Sequence, residues 1–338
     1  MTGKFNKFLI TISALLLIPT LLHAADMEIT PFRTTNQSPL AVIRAIPSDS
    51  SFTITPKGRF SSALTFDLAS NYTSSSVATE RILLDGESYR WTLSTRYGVT
   101  DRVEIGLDIP FILYGGGVFD SFIVGWHDTF LLPQGGRDTA VKNRLHYSYS
   151  KDGKQKLLLD RSGYGFGDVT LMTGVKLYED LSQVDREALA LRVTVKLPTG
   201  DSDQLLGDGA IAGTGSLCGG VNRYTDWGTI GLFGSAGLML SGDGKVLQEQ
   251  QKNLAGFGTL GLGWGPLSWI SFKVQLNANT PLYGGSNLAE ISKPPVMLVM
   301  GGALKFPGDC ILDIGVTEDV SVATAPDVSL HLGLSRQF

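Results

Sequence analysis

Apolar and polar residues alternate one for one along most of the chain, in segment after segment. Phe60, Leu64, Phe66, Leu68 and Tyr72 share one face of a first segment; Ser61, Thr65, Asp67 and Asn71 share the other. Tyr89, Trp91, Leu93 and Tyr97 oppose Arg90, Thr92, Ser94 and Arg96, and Val103, Ile105, Leu107 and Ile109 oppose Arg102, Glu104 and Asp108. The same holds for Leu189, Leu191, Val193 and Val195 against Arg192, Thr194 and Lys196, and for Ile270, Phe272, Val274 and Leu276 against Ser271, Lys273, Gln275 and Asn277. Near the end Val328, Leu330, Leu332 and Leu334 oppose His331, Gly333 and Ser335. A period of two marks β-strands. These run about 10 to 14 residues, where a soluble strand usually has five or six. The longer length is what a tilted strand needs to cross a bilayer.

The connections alternate as well. Gly98 to Asp101, Arg223 to Asp226, Gly265 to Pro266 and Pro307 to Asp309 read as tight turns, whereas 73–87, 112–165, 198–208, 241–252, 279–293 and 319–325 read as longer loops. Short turns on one side and long loops on the other are the pattern of outer-membrane barrels. The segments lie near 58–72, 88–98, 102–111, 166–178, 187–197, 208–222, 227–240, 254–264, 267–279, 295–306, 309–318 and 326–338. Lipid satisfies no backbone hydrogen bond, so the first strand must pair with the last. The expected fold is all-β, an antiparallel transmembrane β-barrel of about 12 strands, with 14 as the alternative. In the glycine-rich stretch, we read Gly213, Gly215, Gly219 and Gly220 as small residues fitting a narrow lumen, with curvature or the close approach of something inside as the alternative.

The ends of the chain assign compartments. Lys4 and Lys7 precede an apolar run from Phe8 to Leu22, followed by Ala24 and Ala25. This predicts a signal peptide over 1–25. Residues 26–57 carry Pro31, Pro39, Pro47 and Pro56 and are too proline-rich for a wall strand. They either hang in the periplasm or thread into the lumen as a plug. Residues 58–338 form the barrel, expected as a monomer in the outer membrane of a Gram-negative bacterium, facing lipid and lipopolysaccharide. Phe338, after Leu330, Leu332 and Leu334, resembles the terminal signal read by barrel-assembly machinery, although Arg336 departs from it.

Charged residues make up only 18% of the chain, with a net charge of −4 and 41 glycines. That balance gives no basic stripe for nucleic acid. By parity Cys218 faces the lumen and Cys310 the lipid, so no disulfide joins them. No metal-spaced histidine pair and no Gly-x-Ser-x-Gly elbow is present, and neither cofactor nor catalytic residue is expected.

Two groups carry the candidate chemistry. The lumen register holds Arg90, Arg96, Glu104, Asp108, Arg192, Lys196 and Lys273, and folding about 98–101 predicts Arg96 opposite Glu104 as an ion pair. A charged constriction that selects solutes is the functional alternative. The long loop after Phe111 carries Phe119, Phe122, Ile123, Trp126 and Phe130 at helical spacing, with Trp126, His127, Asp128 and Arg137 as candidate residues. Beyond it, 145–149 and 155–159 flank Lys151-Asp152-Gly153-Lys154 as an extramembrane hairpin.

Thr35-Asn36-Gln37-Ser38-Pro39-Leu40, Phe119-Asp120-Ser121-Phe122-Ile123 and Gly135-Gly136-Arg137 resemble an uncharacterised bacterial family of presumed outer-membrane proteins. Gly165-Phe166-Gly167-Asp168-Val169 and Lys196-Leu197-Pro198-Thr199-Gly200-Asp201 are similar to motifs of barrels linked to phenol degradation and, more distantly, of hydrophobic-compound transporters. The resemblance implies a barrel that passes small solutes, hydrophobic ones among them. A lipid-modifying outer-membrane enzyme centred on His127 and a non-conducting surface barrel are the alternatives.

Overall fold

The computed structural model describes residues 27–338 apart from 49, 118, 120–124, 126–140, 183–184, 321–323 and 327. Its strands are β1 (Phe60–Val77), β2 (Glu80–Gly98), β3 (Val103–Gly115), β4 (His146–Lys151), β5 (Lys154–Leu159), β6 (Gly163–Phe166), β7 (Thr170–Leu181) and β8 (Asp185–Lys196). They continue as β9 (Ala212–Thr225), β10 (Gly228–Ser241), β11 (Leu254–Leu267), β12 (Ile270–Asn279), β13 (Val296–Phe306), β14 (Cys310–Asp319) and β15 (Val328–Gln337). β6 and β7 share one stave against β3, and β4 and β5 form a hairpin beside β2, so the wall is a closed antiparallel barrel of 12 strands. Closure runs from Ser61↔Gln337 to Ser70↔Val328 between β1 and β15. Among the described residues every stave of the wall is paired on both sides, as a sheet in lipid requires.

The alternation sorts as expected. Leu64, Leu93, Ile105, Leu217, Leu262 and Phe272 are exposed on the outside, while Thr65, Arg192, Thr214, Ser271 and Gln275 are buried inside. Trp227, Trp269, Phe60 and Phe338 stand exposed at the short-turn end. The turn at 307–309 places Gly308 and Asp309 at φ 81° and 58°, the left-handed region that matches the twist of a tight hairpin. Asp152 and Gly153, at φ 51° and 73°, make the same kind of turn between β4 and β5, where the hairpin was expected.

The loop expected over 73–87 is instead strand. β1 and β2 stay paired up to Val77↔Glu80, with Ala78 at φ 52° in a two-residue turn. The run Ser74-Ser75-Ser76 has loop composition, and the alternation lapses there because this part of the hairpin has no face turned to the apolar belt. Inside it, Ile82 and Leu84 are buried and Glu80 to Asp85 pair with β4.

Candidate functional site

Residues 27–48 and 50–55 lie inside the wall. Ile29, Phe32 and Phe52 are each at most 1% exposed. The segment joins the sheet only at the isolated bridge Lys57↔Gly98, among the described residues. Elsewhere inward side chains of the wall satisfy its backbone. On β12, Lys273, Gln275 and Asn277 donate to the carbonyls of Thr30, Phe32 and Thr34 at 3.1, 3.3 and 3.3 Å. Gln275 Oε1 also accepts from the Phe32 N–H at 2.8 Å. Alternate side chains of a strand share one face, so this ladder matches alternate carbonyls of an extended chain running parallel to β12. Asn222 repeats the device with Ile29, accepting from its N–H at 3.0 Å.

The inward face also leaves room for the segment's side chains. A Cβ on Gly220 would lie 2.4 Å from the Phe52 ring, and one on Gly231 or Gly263 would lie 2.7 or 2.6 Å from Ile29. Gly220, Gly231 and Gly263 therefore answer to a chain inside the barrel, which corrects the narrow-lumen reading of Gly220, whereas an added Cβ on Gly213, Gly215 or Gly219 would meet no atom of that chain.

The charged register pairs differently from the expected Arg96–Glu104 ion pair. Arg96 pairs with Asp108 at 2.7 Å and Glu104 with Arg192 at 2.7 Å. The register sets Glu104 against Gly98 and Arg96 against Gly106, so the expected Arg96–Glu104 pair does not form. Glu104 also accepts from the Thr55 N–H at 2.7 Å, and Arg192 donates to Ser51 O and Thr53 O at 2.7 and 2.8 Å. Arg90 donates to Val42 O at 3.2 Å. Lys273 pairs with Asp313 and sits 4.0 Å from the centre of the Phe32 ring. Four of the lumen residues singled out in the sequence, Arg90, Glu104, Arg192 and Lys273, thus hold the backbone of residues 30–55.

The two short motifs meet. Asp168 of the first and Lys196 of the second form an ion pair; Lys196 also reaches Asp208 at 2.5 Å, and Asp208 takes Arg44 of the inner segment at 2.9 Å. Thr199 Oγ1 accepts from the Val169 N–H and donates to Gly167 O, both at 2.9 Å, and Asp168 accepts from the Gly200 N–H at 2.8 Å. This clasp ties the β6–β7 junction to the loop after β8, with Arg44 as its inner anchor.

Above it the long-loop end is closed by an apolar cluster. Leu40, Val42 and Ile43 of the inner segment pack with Tyr114, Tyr147, Leu205, Leu282, Leu288 and Ile291. Each such side chain contributes on the order of 1.5–3 kcal/mol when fully buried. Tyr283 Oη donates to Leu40 O at 2.8 Å, and burial raises the Tyr283 hydroxyl above its ordinary value. At the rim, Glu80 joins three elements: it accepts from Tyr149 Oη at 3.0 Å, from the Asn287 N–H at 3.2 Å and from Ser286, with Lys151 at 3.5 Å. Burial pushes the Glu80 carboxyl up, but these hydrogen bonds and the Lys151 charge outweigh it, and the net shift is downward.

A carboxylate held below its unfolded value stabilises above that value and loses the contribution as pH falls through the lower folded value. Residues 280–295 are therefore expected to become protease-sensitive as pH drops below about 4.5, Glu80's ordinary value. Glu80→Gln should show that sensitivity at neutral pH and lose its pH dependence, as read by limited proteolysis from pH 7 to 3.

Arg44, Asp208 and Asn222 were not singled out in the sequence, and Asp168 only as part of a motif; nor was the buried Asp67–His331 pair at 2.8 Å, where Asp67 also accepts from Thr34. Trp126, His127, Asp128 and Arg137 lie outside the described residues.

Among solved structures, the chain is similar to the COG4313 outer membrane channel from Pseudomonas putida F1, with 15% identity over 87% of this chain and 100% of that one and a TM-score of 0.54. A FadL homologue from Pseudomonas aeruginosa matches at 8% identity over 83% and 90%, with a TM-score of 0.34. The Pseudomonas putida toluene transporter TodX matches at 9% over 82% and 88%, with a TM-score of 0.29. The first supports the fold. None of the curated proteins matches. A family model covers residues 8–338, and the chain belongs to that family, described as a protein of unknown function, DUF3187.

Proposed function

We propose that this protein is an outer-membrane channel or transporter for small solutes, closed at rest by its own residues 27–57 and opened when that segment shifts. The outward apolar belt with aromatics at the short-turn rim supports placement in an outer membrane. The barrel is also similar in fold to a structure named as a channel.

The observation that carries the reading is the way the segment is held. Its backbone hydrogen bonds end on side chains of the wall rather than on a strand ladder. Such bonds are worth about 0.5–1.5 kcal/mol each net, and each can be exchanged for water in a polar lumen. An inner segment built as a permanent part of the wall would use β pairing. The closed state leaves a cavity of about 60 Å³ between segment and wall, room for about two waters. The inward face is polar and charged, which favours polar solutes over hydrophobic ones.

Planar-bilayer recording of the refolded mature protein tests this. The intact barrel should show brief openings, and a variant lacking 27–55 should stay open. Silence of the intact protein in bilayers, together with no solute uptake into liposomes, would overturn the reading.

A further inference from the structure

The cavity between the inner segment and β2, β3, β7 and β8 is lined by five cationic side chains, Arg44, Arg90, Arg96, Arg192 and Lys196, against two carboxylates, Asp108 and Asp168. Partners behind the lining satisfy most of this charge. Arg96 has Asp108, Arg192 has Glu104, Lys196 has Asp168 and Asp208, and Arg44 has Asp208. Arg90 is different. It donates to two neutral oxygens, Val42 O at 3.2 Å and Thr92 Oγ1 at 3.3 Å, and no carboxylate of the described residues contacts it. Asp67 stands opposite Arg90 in the β1–β2 register but turns its oxygen to Thr34 and His331 instead.

A second observation points the same way. Arg44 is 3% exposed and lines the cavity, and its Nε has no hydrogen-bond partner. A buried donor left unmade is costly, and Arg90, half-buried on β2, feels Asp67, Asp108 and Asp168 only through space, with no carboxylate of the described residues in hydrogen-bond reach. Guanidinium groups are planar forks that match oxyanions. The enclosed space of about 60 Å³ admits a small group and no more.

We infer that this cavity is a seat for a small oxyanion, a carboxylate or phosphate group, gripped by Arg90 with Arg44 closing over it from the inner segment. As a statement of which solutes pass, this rests on the reading of the barrel as a channel; as a binding site it does not. The seat also couples an anion to the segment that fills the lumen, since Arg44 belongs to that segment and Arg90 holds Val42.

Equilibrium dialysis tests it. The refolded mature protein in detergent is equilibrated with labelled phosphate and, separately, labelled acetate at constant ionic strength and pH 7.5. Saturable binding of one or both is expected, and which one separates phosphate from carboxylate. Arg90→Gln should weaken it tenfold or more. Arg90→Lys, which keeps the charge but not the fork, serves if the Gln variant does not give a heat-modifiable barrel. No saturable binding of either anion, or unchanged affinity in a folded Arg90 variant, overturns the seat. A barrel that conducts but binds neither anion fails this inference alone; one that binds but never conducts fails only the channel reading.

Discussion

Lys196→Met is expected to lower barrel stability by about 3–5 kcal/mol, the scale seen when one member of a buried ion pair is removed. Lys196 is 4% exposed and bridges Asp168 and Asp208, which are 5% and 0% exposed. Without it Asp168 keeps only hydrogen bonds, and Asp208 keeps Arg44 as its one ion-pair partner among the described residues, with the Ala210 N–H. The apolar gain from Met does not offset a buried carboxylate left without its cation. Asp168→Asn should cost less, because Lys196 and Arg44 would still share Asp208. The measurement is the urea midpoint of the heat-modifiable band, at unchanged slope. A loss below about 0.5 kcal/mol, the range of an ordinary surface change, would mean that the clasp is wet and carries little.

Arg192→Met should have an effect of similar size on stability, again about 3–5 kcal/mol, and a second effect that Lys196 lacks. Arg192 ties Glu104 to the carbonyls of Ser51 and Thr53. Its loss strands a buried carboxylate and frees the return limb of the inner segment together. Single-channel recording should show more frequent openings than the intact protein, and proteolysis should cut between 47 and 56 sooner. Unchanged gating in a folded variant would show that this limb does not hold the closed state.

The wall was legible because each strand face meets one environment. Leu330, Leu332 and Leu334 look outward while Ser329, His331 and Gly333 look inward, so two solvents write a period of two into the chain. The interior was harder to read. Thr30, Phe32 and Thr34 meet Lys273, Gln275 and Asn277 across a separation of 243 residues, and no local pattern records such a pairing. The clue available was chemical: an inward row of ammonium and amides offers more donors than a water-filled pore requires. The extended β1–β2 hairpin failed for the opposite reason, since its tip meets neither lipid nor lumen and Ser74 to Ser76 follow loop composition. Arg96 and Glu104 were placed on the correct face but two residues out of register, because the turn after Gly98 sets Gly98 opposite Glu104 and Arg96 opposite Gly106.

The most direct test fixes the inner segment to the wall. A Cβ on Gly231 would stand 2.7 Å from Ile29 Cβ, a small shift from the roughly 3.5–4.5 Å of a disulfide. Ile29→Cys with Gly231→Cys, in a background with the free Cys218 and Cys310 replaced by Ala and Ser, should therefore cross-link on oxidation. Uptake of small solutes into liposomes is then followed before and after reduction. Uptake at the level of protein-free vesicles when oxidised, restored by reductant, is the result expected of a barrel closed by its own N-terminal segment. Equal uptake by the cross-linked and reduced forms would contradict it.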